Sequence, residues 1–157
     1  MKYNIFVDLD GVLVDFDKGY KDLTGIDLNK LPFQDGKSFW DPINKAGKEF
    51  WSNLKWMKDG KKLWNFVSQF NPKILSAPSK DKSSHKGKQE WVSRELKNVQ
   101  LILCPAKDKQ KYASNNSILI DDRIDNCERW EMAGGIAIPH TNSKITISQL
   151  IKILFNE

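Results

Sequence analysis

Five short apolar runs, at 5–7, 74–75, 101–104, 118–120 and 136–138, set the tightest limit on what this chain can fold into. Runs this short and this apolar read as strands buried on both faces. Helical patterns lie between them. Leu63, Phe66, Val67 and Phe70 recur at helical spacing, and Trp91, Val92, Glu95 and Leu96 do so less cleanly. The segment 126–132 reads as a helix stopped by Gly134 and Gly135. Residues 147–155 read as a last amphipathic helix, with Ser148 or Thr146 as its N-cap. Strands alternating with helices predict an α/β fold: a parallel sheet with helices on both faces.

The segment 17–59 breaks the alternation. It has no convincing strand run and is rich in aromatics: Phe33, Phe39, Trp40, Phe50, Trp51 and Trp56. At 157 residues the chain has the length of one domain with at most a small insertion. A domain of this size buries about 70% of its unfolded surface, enough for a sizeable core. The net charge of +5 points to an anionic ligand without choosing between nucleotide and nucleic acid. Most of the lysines are scattered. The one cluster, Lys80, Lys82, Lys86 and Lys88, reads as a solvated loop that could also border a phosphate site.

Two cysteines, Cys104 and Cys127, are too few for a disulfide framework and are expected reduced and at least half-buried. No apolar stretch approaches the ~20 residues a bilayer span needs. The N-terminus leads straight into the first apolar run, so the expectation is a cytoplasmic protein with no signal peptide and no membrane partner.

Three of the apolar runs end in side chains that carry chemistry. The first gives way to Asp8-Leu9-Asp10-Gly11-Val12-Leu13-Val14. Asp8 at a strand end would project from the carboxyl edge of the sheet, where α/β folds place their ligands. Asp10, one strand period later, points the same way. Two carboxylates this close repel unless a cation sits between them, and Mg²⁺, a hard cation that takes oxygen ligands and suits phosphate substrates, is the common solution. An Asp-Gly turn with no chemistry, or a calcium loop, would share this local pattern. The second run ends at Ser76, followed by Ala77 and Pro78; the fourth ends at Asp121-Asp122-Arg123, preceded by the lysine-rich Lys107-Asp108-Lys109-Gln110-Lys111.

Acid, hydroxyl, lysine and acid pair in that order resemble the haloacid dehalogenase-like (HAD) phosphatase superfamily. Phe6-Val7-Asp8-Leu9-Asp10-Gly11-Val12-Leu13-Val14-Asp15-Phe16, with Ile118-Leu119-Ile120-Asp121-Asp122-Arg123, is similar more narrowly to its 5'(3')-deoxyribonucleotidase branch. The resemblance implies a Rossmann-like core over 1–16 and 60–157, with a small helical cap at 17–59 inserted after the first strand. It also implies a Mg²⁺-dependent phosphomonoester hydrolase that acts on (deoxy)nucleoside monophosphates through an aspartyl-phosphate. A sugar phosphate or a nucleic-acid phosphate end as substrate, and a non-catalytic binding protein on the same fold, are the alternatives.

Roles follow on that resemblance. Asp8 is the candidate nucleophile. Asp10 is the candidate acid/base, protonating the leaving oxygen and then deprotonating water, with its backbone carbonyl on the metal. Ser76 would donate to a phosphate oxygen beside the backbone N–H of Ala77. Lys109, preferred over Lys111, would neutralise phosphate charge and hold Asp8. Asp121 and Asp122 complete the metal set with Asp8 and Asp10. Phe16, Phe50 and Trp51 are candidates to stack on a nucleobase. Arg123 is expected to pair with a nearby acid, and Asp125 and Asn126 to cap a helix. His85 and His140 are given no role.

Overall fold

The computed structural model describes residues 2–155. Among them the sheet has five strands in the order β3-β2-β1-β4-β5, every neighbouring pair parallel. These are β1 (Asn4–Val7), β2 (Lys73–Ser76), β3 (Leu101–Leu103), β4 (Ser117–Asp121) and β5 (Ile136–Pro139). Each lies on one of the five apolar runs.

Side chains alternate across the sheet as the strand period requires. Ile5, Val7, Ile74, Ile118 and Ile120 point into the larger core. Phe6, Leu75 and Leu119 point to the other face, where Trp130 covers them, its ring 5.3 Å from that of Phe6. Trp130 belongs to α6 (Ile124–Met132). The larger core is closed by Leu63 and Val67 of α4 (Gly60–Val67), Trp91 and Val92 of α5 (Lys82–Glu95), and Leu150 of α7 (Ser143–Phe155). The sheet is therefore covered on both faces, as an all-parallel sheet must be.

Between β1 and α4 the chain is helical: α1 (Phe16–Thr24), a 3₁₀ turn at Leu28–Lys30, α2 (Lys37–Ala46) and α3 (Lys48–Ser52). Its aromatics pack mostly on one another. Tyr20 and Phe39 stack with centroids 4.7 Å apart, and Phe50 meets Phe16 and Trp51 edge-on. Phe33 is the exception at 80% exposed. This segment is sewn to α5. Trp91 Nε1 donates to the Leu54 carbonyl at 2.8 Å, an Arg94 guanidinium N–H to that of Ser52 at 2.6 Å, and Lys48 pairs with Glu90 at 2.8 Å.

Two local expectations are corrected. α7 begins at Ser143, not near residue 147, because acceptors are waiting for its first N–H groups. Asn142 Oδ1 accepts from Ile145 N at 3.0 Å and Asp59 Oδ2 from Ser143 N at 2.6 Å. The lysine cluster 80–88 is helix rather than loop from Lys82 on: Lys80, Lys82 and Lys86 are exposed as expected, but Ser84, Gly87 and Lys88 lie on the buried side of α5 with Trp91 and Val92. No helix among the described residues is long and apolar enough to cross a membrane.

Candidate active site

The strand order runs outward from β1 in one direction to β2 and β3, and in the other to β4 and β5. The β1–β4 boundary is thus the point at which the order reverses, where open α/β sheets bind ligands beyond the strands' carboxyl ends. Asp8 follows β1 directly, its N–H bonded to the Ile120 carbonyl at 3.0 Å, and Asp121 ends β4. Backbone pairing alone brings the two acids together. Gly11 turns the chain back over them with φ +80°, and a Cβ there would collide with the Asp122 carboxylate.

Lys109 is the cation of this cluster. It lies on a 3₁₀ turn at Ala106–Tyr112 and is 2% exposed. Its Nζ is 2.7 Å from Asp121 Oδ2 and 3.2 Å from Asp8 Oδ1. Burial alone would strip its charge, but those two carboxylates overcome it and hold Lys109 above the ordinary lysine range. Lys111, two residues on, is exposed and paired with Asp108 at 3.1 Å. Of the two candidates, Lys109 is the one that reaches the acids.

One lysine is not enough for them. An oxygen from each of Asp8, Asp121 and Asp122 falls within 4.8 Å of the others. Burial, opposed by Lys109 and reinforced by Asp121, Asp10 and Asp122, pushes the Asp8 carboxyl up to about 7. Burial and Asp121 push Asp122 up to about 6. Three converging carboxylates with one lysine between them form an all-oxygen donor set short of positive charge, which is what a hard divalent cation supplies. The Asp10 side chain stands apart from this trio.

Asp10 instead meets a residue that the charge pattern concealed. Lys88 is 3% exposed, and its Nζ donates to Asp10 Oδ2 at 2.7 Å and to Ser76 Oγ at 3.0 Å. The same ammonium stands 5.0 Å from the centre of the Trp51 ring. Asn126, expected only as a capping residue, is buried and donates to Asp121 Oδ2 at 3.0 Å. Asp125 does meet Arg123, at 3.0 Å on the surface.

A cavity of about 770 Å³ opens over this cluster. Its floor includes Asp8, Asp10, Lys109 and Asp122, and Ala77 borders it. Ser76 is fully buried behind Ala77. The opposite wall comes from the helical segment: Phe16, Phe39, Trp40 and Trp51, with Asp15 and Asp17 at the edge. The Trp40 and Trp51 rings are 23° from parallel with centroids 6.5 Å apart, and Trp51 Nε1 is buried without a partner. Phe50 does not line the cavity. It is buried, and its ring supports Phe16 and Trp51 edge-on, so the substrate contact expected of it is corrected to a packing role. Trp40 takes its place on the wall.

The architecture is that of an open parallel α/β domain with an acid cluster at its switch point. More particularly, the chain has the fold of the HAD hydrolases. A hydrolase from Streptococcus pneumoniae superposes with a TM-score of 0.54 over 98% of this chain and 99% of its own, at 14% identity. A HAD-superfamily hydrolase from Ehrlichia chaffeensis gives 0.54 over 99% and 100%, also at 14%. A HAD family enzyme from Bacteroides thetaiotaomicron, crystallised with magnesium and inorganic phosphate, gives 0.53 over 90% and 95%, at 13%. At such identities the likeness establishes the fold. Neither a protein-family model nor a curated protein matches the sequence.

Proposed function

We propose that this protein is a Mg²⁺-dependent phosphomonoester hydrolase acting on (deoxy)nucleoside monophosphates through an aspartyl-phosphate at Asp8. The observation that carries the reading is Asp8 itself: it sits at the floor of an open cavity, 3.2 Å from the buried Lys109 and against two further carboxylates. Asp8, Asp121, Asp122 and the main-chain carbonyl of Asp10 would hold the Mg²⁺, and the bound ion would offset the repulsion between carboxylate and phosphate. A relative in fold that crystallised with magnesium and phosphate supports the same ion.

The chain's own groups supply the rest. Lys109 favours the ionised form of Asp8 against burial and offers positive charge to the phosphate oxygens. Asp10 gives its proton to the leaving oxygen and later takes one from water. Ala77 borders the cavity and offers its N–H to the phosphate, with the buried Ser76 hydroxyl behind it. The segment 17–59 serves as a cap, and its aromatic wall of Phe16, Trp40 and Trp51 gives a flat apolar face suited to a nucleobase. The test is a panel of nucleoside monophosphates, sugar phosphates and phosphorylated nucleic-acid ends, assayed with Mg²⁺ and with chelator. Nucleoside monophosphates are expected to turn over best, with the activity lost in chelator and in a folded Asp8→Asn variant. Full turnover by Asp8→Asn would overturn the assignment.

A further inference from the structure

We infer that Asp17 is the residue that selects the nucleobase, and that the base it selects is guanine. The inference rests on the nucleotidase reading above and names its substrate more closely. Asp17 lines the active-site cavity beside the aromatic wall, next in the chain to Phe16 and in the first turn of α1. It is exposed there, within reach of a ligand in the cavity. Asp15, the other acid at that edge, is already engaged: its Oδ1 accepts the Lys18 N–H at 3.0 Å and caps the helix. Partial burial raises the Asp17 carboxyl above its ordinary value, and the charges of Asp15, Asp27 and Asp10 raise it further. Among the described residues, no charge of opposite sign offsets them.

The cations that line the cavity are committed elsewhere. Lys109 is buried on the floor between Asp8 and Asp121, and Arg123 is held by Asp125 at 3.0 Å. The phosphate end thus has its lysine, and the wall end carries an unopposed carboxylate. A substrate that fits both is an anion at one end and a neutral hydrogen-bond donor at the other. Gln34 also lines the cavity, but its amide can present either its oxygen or its NH₂ and chooses no base by itself. An ionised carboxylate can only accept. Its two oxygens lie side by side and are best met by two parallel N–H groups. Among the common bases, only guanine shows two adjacent donors, N1–H and the 2-amino group. Hypoxanthine keeps N1–H and lacks the amino group. Uracil and thymine have one N–H between two carbonyl oxygens. In adenine and cytosine the amino group stands beside a ring nitrogen whose lone pair would face the carboxylate.

The test is kcat/KM with Mg²⁺ on the 5'- and 3'-monophosphates of guanosine, inosine, uridine, adenosine and cytidine. The reference is p-nitrophenyl phosphate, which has no N–H edge. Wild type should favour the guanosine compound over those of adenosine and cytidine ~10- to 100-fold, the scale of a hydrogen bond to a charged group, with inosine between. Asp17→Asn puts an amide donor against a guanine donor, and Asp17→Ala removes the acceptor. In both, the guanosine preference should fall below ~5-fold. Asp17→Glu, which keeps the carboxylate, should keep guanosine first. A wild type that treats the five bases alike, or a guanosine preference that survives in Asp17→Asn and Asp17→Ala, would overturn the role. So would equal losses on every nucleotide and on the aryl phosphate in both variants, or failure of both to fold, which would make Asp17 a structural residue of α1. A wild type that hydrolyses p-nitrophenyl phosphate but no nucleotide would instead bring down the nucleotidase reading itself.

Discussion

Lys109 and Lys111 are two positions apart and end in opposite environments. The first is buried between Asp8 and Asp121; the second is exposed beside Asp108. Lys109→Ala should lower turnover ~100- to 1,000-fold, the scale seen when one fixed electrostatic group is removed from a water-excluded site. Lys111→Ala should change it by less than about twofold, since a surface ion pair contributes little. Steady-state rates on one nucleotide decide between them, and the reverse ranking would move the phosphate lysine to Lys111. On the opposite wall, Trp40 is half-buried and lines the cavity, while the more buried Trp51 also braces Lys88. Trp40→Ala is therefore the cleaner test of base stacking. It should cut nucleotide kcat/KM by ~1–3 kcal/mol, about five- to 150-fold, and an aryl phosphate much less. An equal loss on both substrates would leave Trp40 a packing residue. The acids were legible from sequence because each directly ends an apolar run. The Phe50–Trp51 pair was not resolved, because only the packing of α3 decides which of two adjacent rings faces the cavity.

At the scale of elements, α5 and α7 are where the sequence concealed most. A helical stripe is visible at Trp91, Val92 and Leu96, but its upstream half runs through Ser84, Gly87 and Lys88. There the lysine-rich composition imitates a solvated segment. The signal available was a lysine three residues before Trp91, on the same helical face. Gly87→Ala should destabilise the protein by ~1–3 kcal/mol, as overpacking does at a site with no room for a methyl. Chemical denaturation measures it, and an unchanged midpoint would mean that α3 and α5 can part freely. The start of α7 was hidden for another reason: one of its caps is Asp59, 84 positions away in the chain. Burial works against the Asp59 charge, but the Ser143 N–H and hydroxyl hold its carboxyl below the usual range. Asp59→Ala should cost about 1 kcal/mol, in the usual range for a lost helix cap, and should leave turnover intact. Because the folded pKa is lowered, this contribution is present above the ordinary carboxylate pKa and fades as pH falls through it.

Across the whole molecule, the parallel sheet was the most legible feature, since buried strands leave uninterrupted apolar runs and their order with helices dictates the topology. What strand order adds is convergence: Asp8 and Asp121 are 113 positions apart and meet because β1 pairs with β4. Their crowding has a consequence for stability without metal. Asp8 at about 7 and Asp122 at about 6 lie above the ordinary value of 3.8, so the folded state holds protons more tightly than the unfolded chain. Their contribution to stability is full below about pH 4 and is lost as pH rises towards about 7. In chelator, the melting temperature should fall from about pH 5 to about pH 8 more steeply in wild type than in Asp8→Asn. Mg²⁺ should restore it most at the alkaline end, where it binds only the folded, ionised site. A flat profile, insensitive to Mg²⁺, would mean that the acids do not share a cation. The central claim is the covalent step at Asp8, and the direct measurement is to trap it. Enzyme turning over a nucleoside monophosphate with Mg²⁺ is quenched in acid and reduced with borohydride, which converts an acyl phosphate to the alcohol. Peptide mass spectrometry should then find homoserine at position 8, and none when chelator or Asp8→Asn is used. Steady turnover with Asp8 unmodified, or with the reduced residue elsewhere, would contradict the account.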